Sequence, residues 1–112
     1  MSLVANMDGD TLIVSVEAER IDSACAIAFK DDMLTATKGV QGRVILDLTS
    51  VAFVDSSGLG AIVASMKALG GPGSMDVAGL SPIVEKVFLL TRMDSVFRIF
   101  PDLKAAQQNV AI

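Results

Sequence analysis

The sequence contains no histidine and a single cysteine, Cys25. With one cysteine, no disulfide can form within the chain, and a zinc site built from cysteine and histidine ligands is excluded. Catalysis by a serine or cysteine that relies on a histidine base is excluded for the same reason. We therefore expect no metal, no cofactor and no catalytic residue, and we predict that Cys25 is a small buried residue.

Positive charge and long apolar runs are also scarce. Nine Lys and Arg residues stand against 13 Asp and Glu residues, so the net charge is -4, and no basic cluster is present for a nucleic acid or an anionic membrane. No apolar run approaches the ~18 residues of a membrane span. The first ten residues, MSLVANMDGD, lack the basic start and apolar stretch of a signal peptide. We therefore expect a soluble, cytoplasmic protein with no nucleic-acid partner and no membrane insertion.

Apolar residues, by contrast, are abundant. They make up 52% of the 112 residues, and charged residues make up 20%, so the chain can build a core, and we predict one domain over residues 1–112. Strand and helix patterns alternate from residue 40 onward, which predicts an α/β fold with a mostly parallel sheet and right-handed crossovers. We expect about 4–5 strands and about 4 helices in total.

Five segments have strand patterns, and the first two are separated by Asp-Gly-Asp, a strong hairpin signal that makes the predicted sheet mixed. They are residues 3–7, 12–17, 43–48, 74–79 and 96–100. The third, RVILDL, is apolar along most of its length, which is typical of a strand covered on both faces.

Four helices are predicted from capping residues and from apolar residues spaced three and four apart. The predicted N-caps are Asp22 or Ser23, Asp55 or Ser56, Ser81 (followed by Pro82 at the first helical position), and Asp102. Gly39 and Gly70 are predicted to end the first two helices, and the last helix is predicted to run through Val110.

The segment FVDSSGL, residues 53–59, places an acid, two hydroxyls and a glycine at the predicted start of the second helix. The first backbone N–H groups of a helix lack internal partners, and the helix dipole favours negative charge there. Gly58 has no Cβ and therefore lets another backbone or a partner approach this turn. Four interpretations are open: a helix cap without function, a nucleophilic serine, a phosphate-binding loop, and a serine that accepts a phosphoryl group.

Two of these interpretations are disfavoured by missing residues. A nucleophilic serine has no histidine base, and none of Lys38, Lys67 and Lys86 lies in a Ser-x-x-Lys spacing with Ser56 or Ser57. A phosphate-binding loop lacks the Lys-Ser/Thr pair that grips phosphates. The cap and the phosphorylated serine remain, and local chemistry alone does not separate them.

The segment VILDLTSVAFVDSSGLGAIV resembles the central part of STAS domains, especially the bacterial anti-sigma factor antagonists. Their pattern is an apolar strand ending in Asp, a short connection, and then Asp-Ser-Ser/Thr-Gly-Leu. Three flanking segments also resemble the family: RID at residues 20–22, VAGLSPIVEKVFLLT, and MDSVFRIFPDLKAA. The resemblance thus extends over nearly the whole chain.

The resemblance implies a phosphorylation-controlled binding module in transcription regulation and no enzymatic activity. In this family the serine directly after the motif's Asp is phosphorylated, which corresponds to Ser56 here. The partner-binding surface is then expected to include Asp22, Asp55, Ser56, Ser57 and Gly58. The unphosphorylated protein would bind an anti-sigma factor that is also an ATP-using serine kinase, and so release a sigma factor. Phosphorylation would end that binding, and a PP2C-type phosphatase would restore it.

Two positions depart from the family pattern. Glu19 stands where the family often has Gly before RID, and Arg92 stands where Gly commonly follows the Thr of LLT. The first departure is expected to alter the surface near Ser56. The second falls where a helix end prefers a left-handed residue.

Other functions are compatible with the same fold. STAS domains also occur as regulatory subunits of lipid-transport ABC systems and in signalling complexes, where the serine is not phosphorylated and the adjacent helix is only a docking face. A third alternative is a nucleotide or ligand sensor, which predicts saturable nucleotide binding by the isolated domain, measurable by calorimetry.

Overall fold

The computed structural model describes residues 2–109, in which a five-stranded sheet carries helices on both faces. In chain order the elements are β1 (Leu3–Asp8), β2 (Thr11–Val16), β3 (Arg20–Ile21), α1 (Ala26–Thr37), β4 (Val44–Asp47), β5 (Phe53–Val54), α2 (Ser56–Leu69), β6 (Met75–Ala78), α3 (Pro82–Leu90), a 3-10 turn (Met93–Ser95), β7 (Ile99–Phe100) and α4 (Leu103–Gln108). The longest of these helices, α2, has 14 residues, and no helix within residues 2–109 is long and apolar enough to cross a membrane.

The main sheet has the order β1-β2-β4-β6-β7. β1 and β2 are antiparallel, and the remaining neighbours are parallel. The hairpin turns at Gly9, whose φ of +62° is a conformation that glycine adopts without a steric cost. The predicted α/β class with a mixed, mostly parallel sheet and four helices is therefore confirmed.

Alternation along the strands divides the core between the two faces of the sheet. The larger face packs α1, α2 and α3 against the sheet through buried side chains that include Val14, Phe29, Leu46, Ile62 and Phe88. The opposite face is covered by α4, where Ala106 packs on Ile13, Ile45 and Ala78. The segment FVDSSGL lies on the side of the larger face, because α2, which begins within this segment, packs there.

Three of the predicted helix starts are confirmed by cap hydrogen bonds. The side chains of Asp55, Ser81 and Asp102 accept hydrogen bonds from the backbone N–H groups of Gly58, Val84 and Ala105, at 2.8, 3.4 and 2.7 Å. The last helix ends at Gln108, and Val110, its predicted end, lies outside the described residues. The predicted strand 96–100 contracts to Ile99–Phe100.

The predicted start of α1 is wrong. Neither Asp22 nor Ser23 caps the helix: it begins at Ala26, and Cys25 occupies the N-cap without a side-chain cap bond. The carboxylate of Asp22 instead accepts the N–H of Ala24 at 3.1 Å, which holds residues 22–25 in a turn before the helix. Cys25 is half-buried in this turn, so the prediction of a buried cysteine is also wrong.

Arg92 has a φ of 60° and is the one non-glycine residue with positive φ in the described part of the chain. A left-handed conformation costs a residue with a Cβ about 1–2 kcal/mol, and a glycine at this position would avoid that cost. The greater freedom of glycine in the unfolded state offsets part of this gain in stability. We therefore expect Arg92→Gly to raise the free energy of unfolding by roughly 1 kcal/mol in urea denaturation. Arg92→Ala removes the same charge but keeps the Cβ. An equal gain in both variants would contradict the backbone explanation.

Candidate functional site

A second, very small sheet positions the serine motif. β3 and β5 pair in parallel, with Arg20 opposite Phe53 and Ile21 opposite Val54. The carbonyl of Glu19 accepts hydrogen bonds from the N–H groups of Ala52 and Phe53, at 2.7 and 3.2 Å. This pairing places the turn before α1 directly beside the first turn of α2.

Asp55 joins these two turns. Its Oδ1 caps α2 by accepting the N–H of Gly58 at 2.8 Å, and its Oδ2 accepts the N–H of Ser23 at 3.0 Å. Its own N–H donates to the carbonyl of Ile21 at 3.3 Å. Asp55 therefore has a structural role that the sequence did not indicate: it fastens the residues that precede α1 to the start of α2.

Gly58 is buried under this junction. A Cβ built on Gly58 would lie 1.9 Å from the carbonyl oxygen of Ile21. The absent Cβ thus allows α2 to approach the chain's own strand β3. Gly58 is therefore a buried support for this turn, whereas Ser56 and Ser57 are exposed.

Ser56 and Ser57 are exposed at the first two positions of α2. Neither hydroxyl makes a hydrogen bond to another residue in the described range. The backbone N–H groups of Ser56 and Ser57 have no helix partner because they lie in the first turn, and the side chain of Asp55 accepts the N–H of Gly58 instead of theirs. An anion on Ser56 would meet free N–H groups and the positive end of the helix dipole.

Asp22 lies beside these residues, and we call Asp22, Asp55, Ser56 and Ser57 together the serine rim. Asp22 is connected to Asp55 through its neighbour Ser23, whose N–H donates to Asp55 Oδ2. The Nε of Arg20 donates to Asp22 Oδ2 at 3.1 Å. This bond, with smaller contributions from hydrogen bonds of Cys25 and the N–H of Ala24, holds the pKa of Asp22 below its usual value of 3.8, against a smaller opposing effect of burial. The five predicted site residues are therefore contiguous: four form the rim and Gly58 supports it.

The lowered pKa of Asp22 gives a testable titration. A carboxylate whose pKa is depressed by folding contributes stability above its unfolded pKa, and this contribution is lost as the pH falls through the folded pKa. We expect an NMR titration to place the pKa of Asp22 below 3.8. In the Arg20→Gln variant, loss of the cationic donor should raise it. An unchanged pKa in that variant would contradict the assigned cause.

No group of three or more Cys, Asp or Glu side chains is placed to hold a metal ion within the described residues. A groove of about 510 Å³ lies at the other end of the sheet, where Met7, Asp10, Lys38 and residues 39–42 line it. Asp22, Asp55, Ser56 and Ser57 do not line this groove.

Comparisons with known proteins agree with this architecture. An anti-sigma factor antagonist from Mycobacterium paratuberculosis is similar at 24% identity and a TM-score of 0.84, with 95% of this chain and 90% of that chain covered. The Bacillus cell fate determinant SpoIIAA in its phosphorylated form is similar at 20% identity and a TM-score of 0.64, over 96% and 98% of the two chains. The murine anion transporter Slc26a9 is similar at 19% identity and a TM-score of 0.74, over 91% of this chain and 18% of that one.

At these identities the likeness establishes the fold. The family itself follows from the sequence, because the model of the STAS domain family matches residues 2–106. That match includes both strands of the small sheet, the capped start of α2 and the serines above it. The chain therefore belongs to the STAS domain family.

Proposed function

We propose that this protein is an anti-sigma factor antagonist: a binding module, not an enzyme, whose partner is an anti-sigma factor with serine kinase activity. In the unphosphorylated state it binds that partner and releases a sigma factor in the cytoplasm of a bacterium. Phosphorylation of Ser56 ends the binding, and a PP2C-type phosphatase restores it. The observation that carries the proposal is the exposed, unbonded hydroxyl of Ser56 at the capped start of α2.

The local geometry supports a reversible switch. Phosphorylation adds about −1.5 to −2 charges and three acceptor oxygens. At Ser56 the helix dipole and two free N–H groups favour that charge, so the fold tolerates it. At a contact surface the same charge adds bulk and must be desolvated, so it weakens the complex. Modification therefore changes binding without unfolding the domain.

The structural neighbours support the same proposal. SpoIIAA and the protein from Mycobacterium paratuberculosis are both anti-sigma factor antagonists, and SpoIIAA has structures in unphosphorylated and phosphorylated forms. Ser56 is preferred over Ser57 because the family resemblance places the modification directly after the motif's Asp. Asp22, Asp55, Ser56 and Ser57 then form the partner-binding surface, with Gly58 beneath it.

Affinity purification tests the partner. The tagged protein is expressed in its native cells, and the proteins that it retains are identified by mass spectrometry. A histidine-kinase-like ATPase supports the proposal, whereas a transporter ATPase supports a role as a regulatory subunit of a lipid-transport system. Nucleotide binding by the isolated protein, measured by calorimetry, would instead indicate a sensor.

Serine variants test the switch. Incubation with the co-purified kinase and ATP should label wild type and Ser57→Ala, and Ser56→Ala should remain unlabelled. Ser56→Ala should keep its affinity for the partner, while Ser56→Asp should lose about 2 kcal/mol, roughly 30-fold, because a carboxylate is left unpaired in the interface. Phosphopeptide mapping that places the phosphate outside Ser56 would overturn the site assignment.

A further inference from the structure

The carboxylate oxygens of Asp22 and Asp55 already accept hydrogen bonds inside the domain. Both carboxylate oxygens of Asp55 accept backbone N–H groups, from Gly58 and Ser23. In Asp22, Oδ2 accepts Arg20 Nε and Oδ1 accepts the N–H of Ala24. Each of these four carboxylate oxygens therefore already accepts a hydrogen bond inside the domain, and a partner's donor would have to share an oxygen that is already bonded.

The strongest unoccupied donors belong to Arg20. Its guanidinium uses only Nε in the pair with Asp22, and Nη1 and Nη2 make no hydrogen bond to any residue between 2 and 109. The side chain is 58% exposed. A guanidinium in this state offers two parallel N–H donors, which match the two oxygens of a carboxylate.

Arg20 is also held in place before any partner arrives. Its Cζ lies 4.5 Å from the centroid of the Phe53 ring, and the hydrogen bond from its Nε to Asp22 also restricts the orientation of the guanidinium. A free arginine side chain loses rotamer entropy when it is immobilised. Because Phe53 and Asp22 have already restricted Arg20, less of that entropy remains to be lost on binding.

We propose that Arg20 anchors the partner protein at this surface by binding one of its carboxylates through Nη1 and Nη2. The inference rests on the proposed function and adds to it the charge of the partner's contact residue. In the pairing of β3 with β5, Arg20 lies opposite Phe53, and Phe53 precedes Ser56 by three residues. A carboxylate on Arg20 and a phosphate on Ser56 are then like charges on one rim, so phosphorylation repels the group that Arg20 recruits.

Three variants in a Ser56→Ala background test this without interference from phosphorylation. Each tagged protein is used to capture the anti-sigma kinase from native cells, and its affinity for the purified kinase is then measured by calorimetry. Arg20→Gln should weaken binding about 10- to 100-fold. Arg20→Lys keeps the charge but loses the paired donors, and it should recover only part of the affinity. Lys104→Gln, at an exposed position of α4, removes a positive charge elsewhere and should bind as the parent does.

The outcomes separate the two proposals. If the parent protein captures no anti-sigma kinase, the proposed function fails and this inference fails with it. If the parent binds and Arg20→Gln binds equally well, only the role of Arg20 is overturned. Full recovery by Arg20→Lys would also overturn it, because charge alone would then suffice. Circular dichroism of each variant checks that the exposed substitution leaves the fold intact.

Discussion

Replacing Asp76 with asparagine is expected to lower the free energy of unfolding by about 3 kcal/mol. Asp76 is 1% exposed on β6, and its carboxylate binds two arginines. The Nε of Arg43 lies 2.6 Å from Oδ2, while Arg98 donates from Nε to Oδ1 at 3.0 Å and from Nη2 to Oδ2 at 2.9 Å. Removal of the one carboxylate leaves two guanidinium groups without their counter-ion.

The expected loss in the free energy of unfolding is large because Arg43 is mostly buried. Its side chain is 18% exposed, and its Nη1 donates to the carbonyls of Ala106 and Asn109, at 2.7 and 3.1 Å. The same guanidinium therefore links β6 to the end of α4. Arg98 is 49% exposed and keeps part of its hydration, which places the expected loss at the lower end of the range for a broken buried pair.

Urea denaturation at neutral pH measures this effect. Asp94→Asn, which removes an exposed carboxylate in the 3-10 turn, is the matched control and should change stability by less than about 0.5 kcal/mol. Hydrogen exchange of Asp76→Asn should also accelerate in α4 more than in α2, because Arg43 loses the partner that orients it. A loss below about 1 kcal/mol in Asp76→Asn would contradict a stabilising role for the network.

Gly58→Ala is expected to destabilise the protein by about 3 kcal/mol as well. The new Cβ would lie 1.9 Å from the carbonyl oxygen of Ile21 and 2.6 Å from its carbonyl carbon. These are backbone atoms of β3, so no side-chain rotation relieves the clash, and α2 must move away from the small sheet. The hydrogen bond from Ser23 to Asp55 is then strained too.

Gly60→Ala provides a control within the same helix. A Cβ at Gly60 meets no atom within 4 Å, and the residue is exposed. Alanine has the higher helix propensity, so this variant should gain up to roughly 1 kcal/mol. Opposite signs for two substitutions two residues apart, measured by urea denaturation, would establish the close approach. Equal stability of both variants would contradict it.

Much of the fold was predictable because its signals are local. Asp-Gly-Asp specifies the hairpin, and the caps of α2, α3 and α4 each need only a side chain that reaches a backbone N–H three residues later. The start of α1 was not predictable by the same rule. There, Asp22 is bound by Arg20 and by the N–H of Ala24, so its carboxylate serves a turn instead of a helix.

The parts that sequence reasoning missed depend on contacts between distant residues. β3 and β5 have two residues each, too few for an alternating pattern, and they form because Gly58 lets α2 pack against Ile21. The segment SMDVAG likewise gives no sign that Asp76 is buried between two arginines, one 33 and one 22 residues away. The position of the serines at the start of α2 was predictable from the sequence, whereas the contact of Arg20 with Phe53 was not.

The small sheet also has a consequence for which molecules can be recognised. The bond from Ser23 to Asp55 joins residues 32 apart, so the rim exists only after the chain has folded. A nascent or misfolded copy carries Asp-Ser-Ser-Gly-Leu in its sequence, yet its residues 22–25 are not fastened to the start of α2. Under the proposed function, a partner that contacts both segments does not bind such copies. Folding yield then sets an upper limit on the number of molecules that can bind the partner.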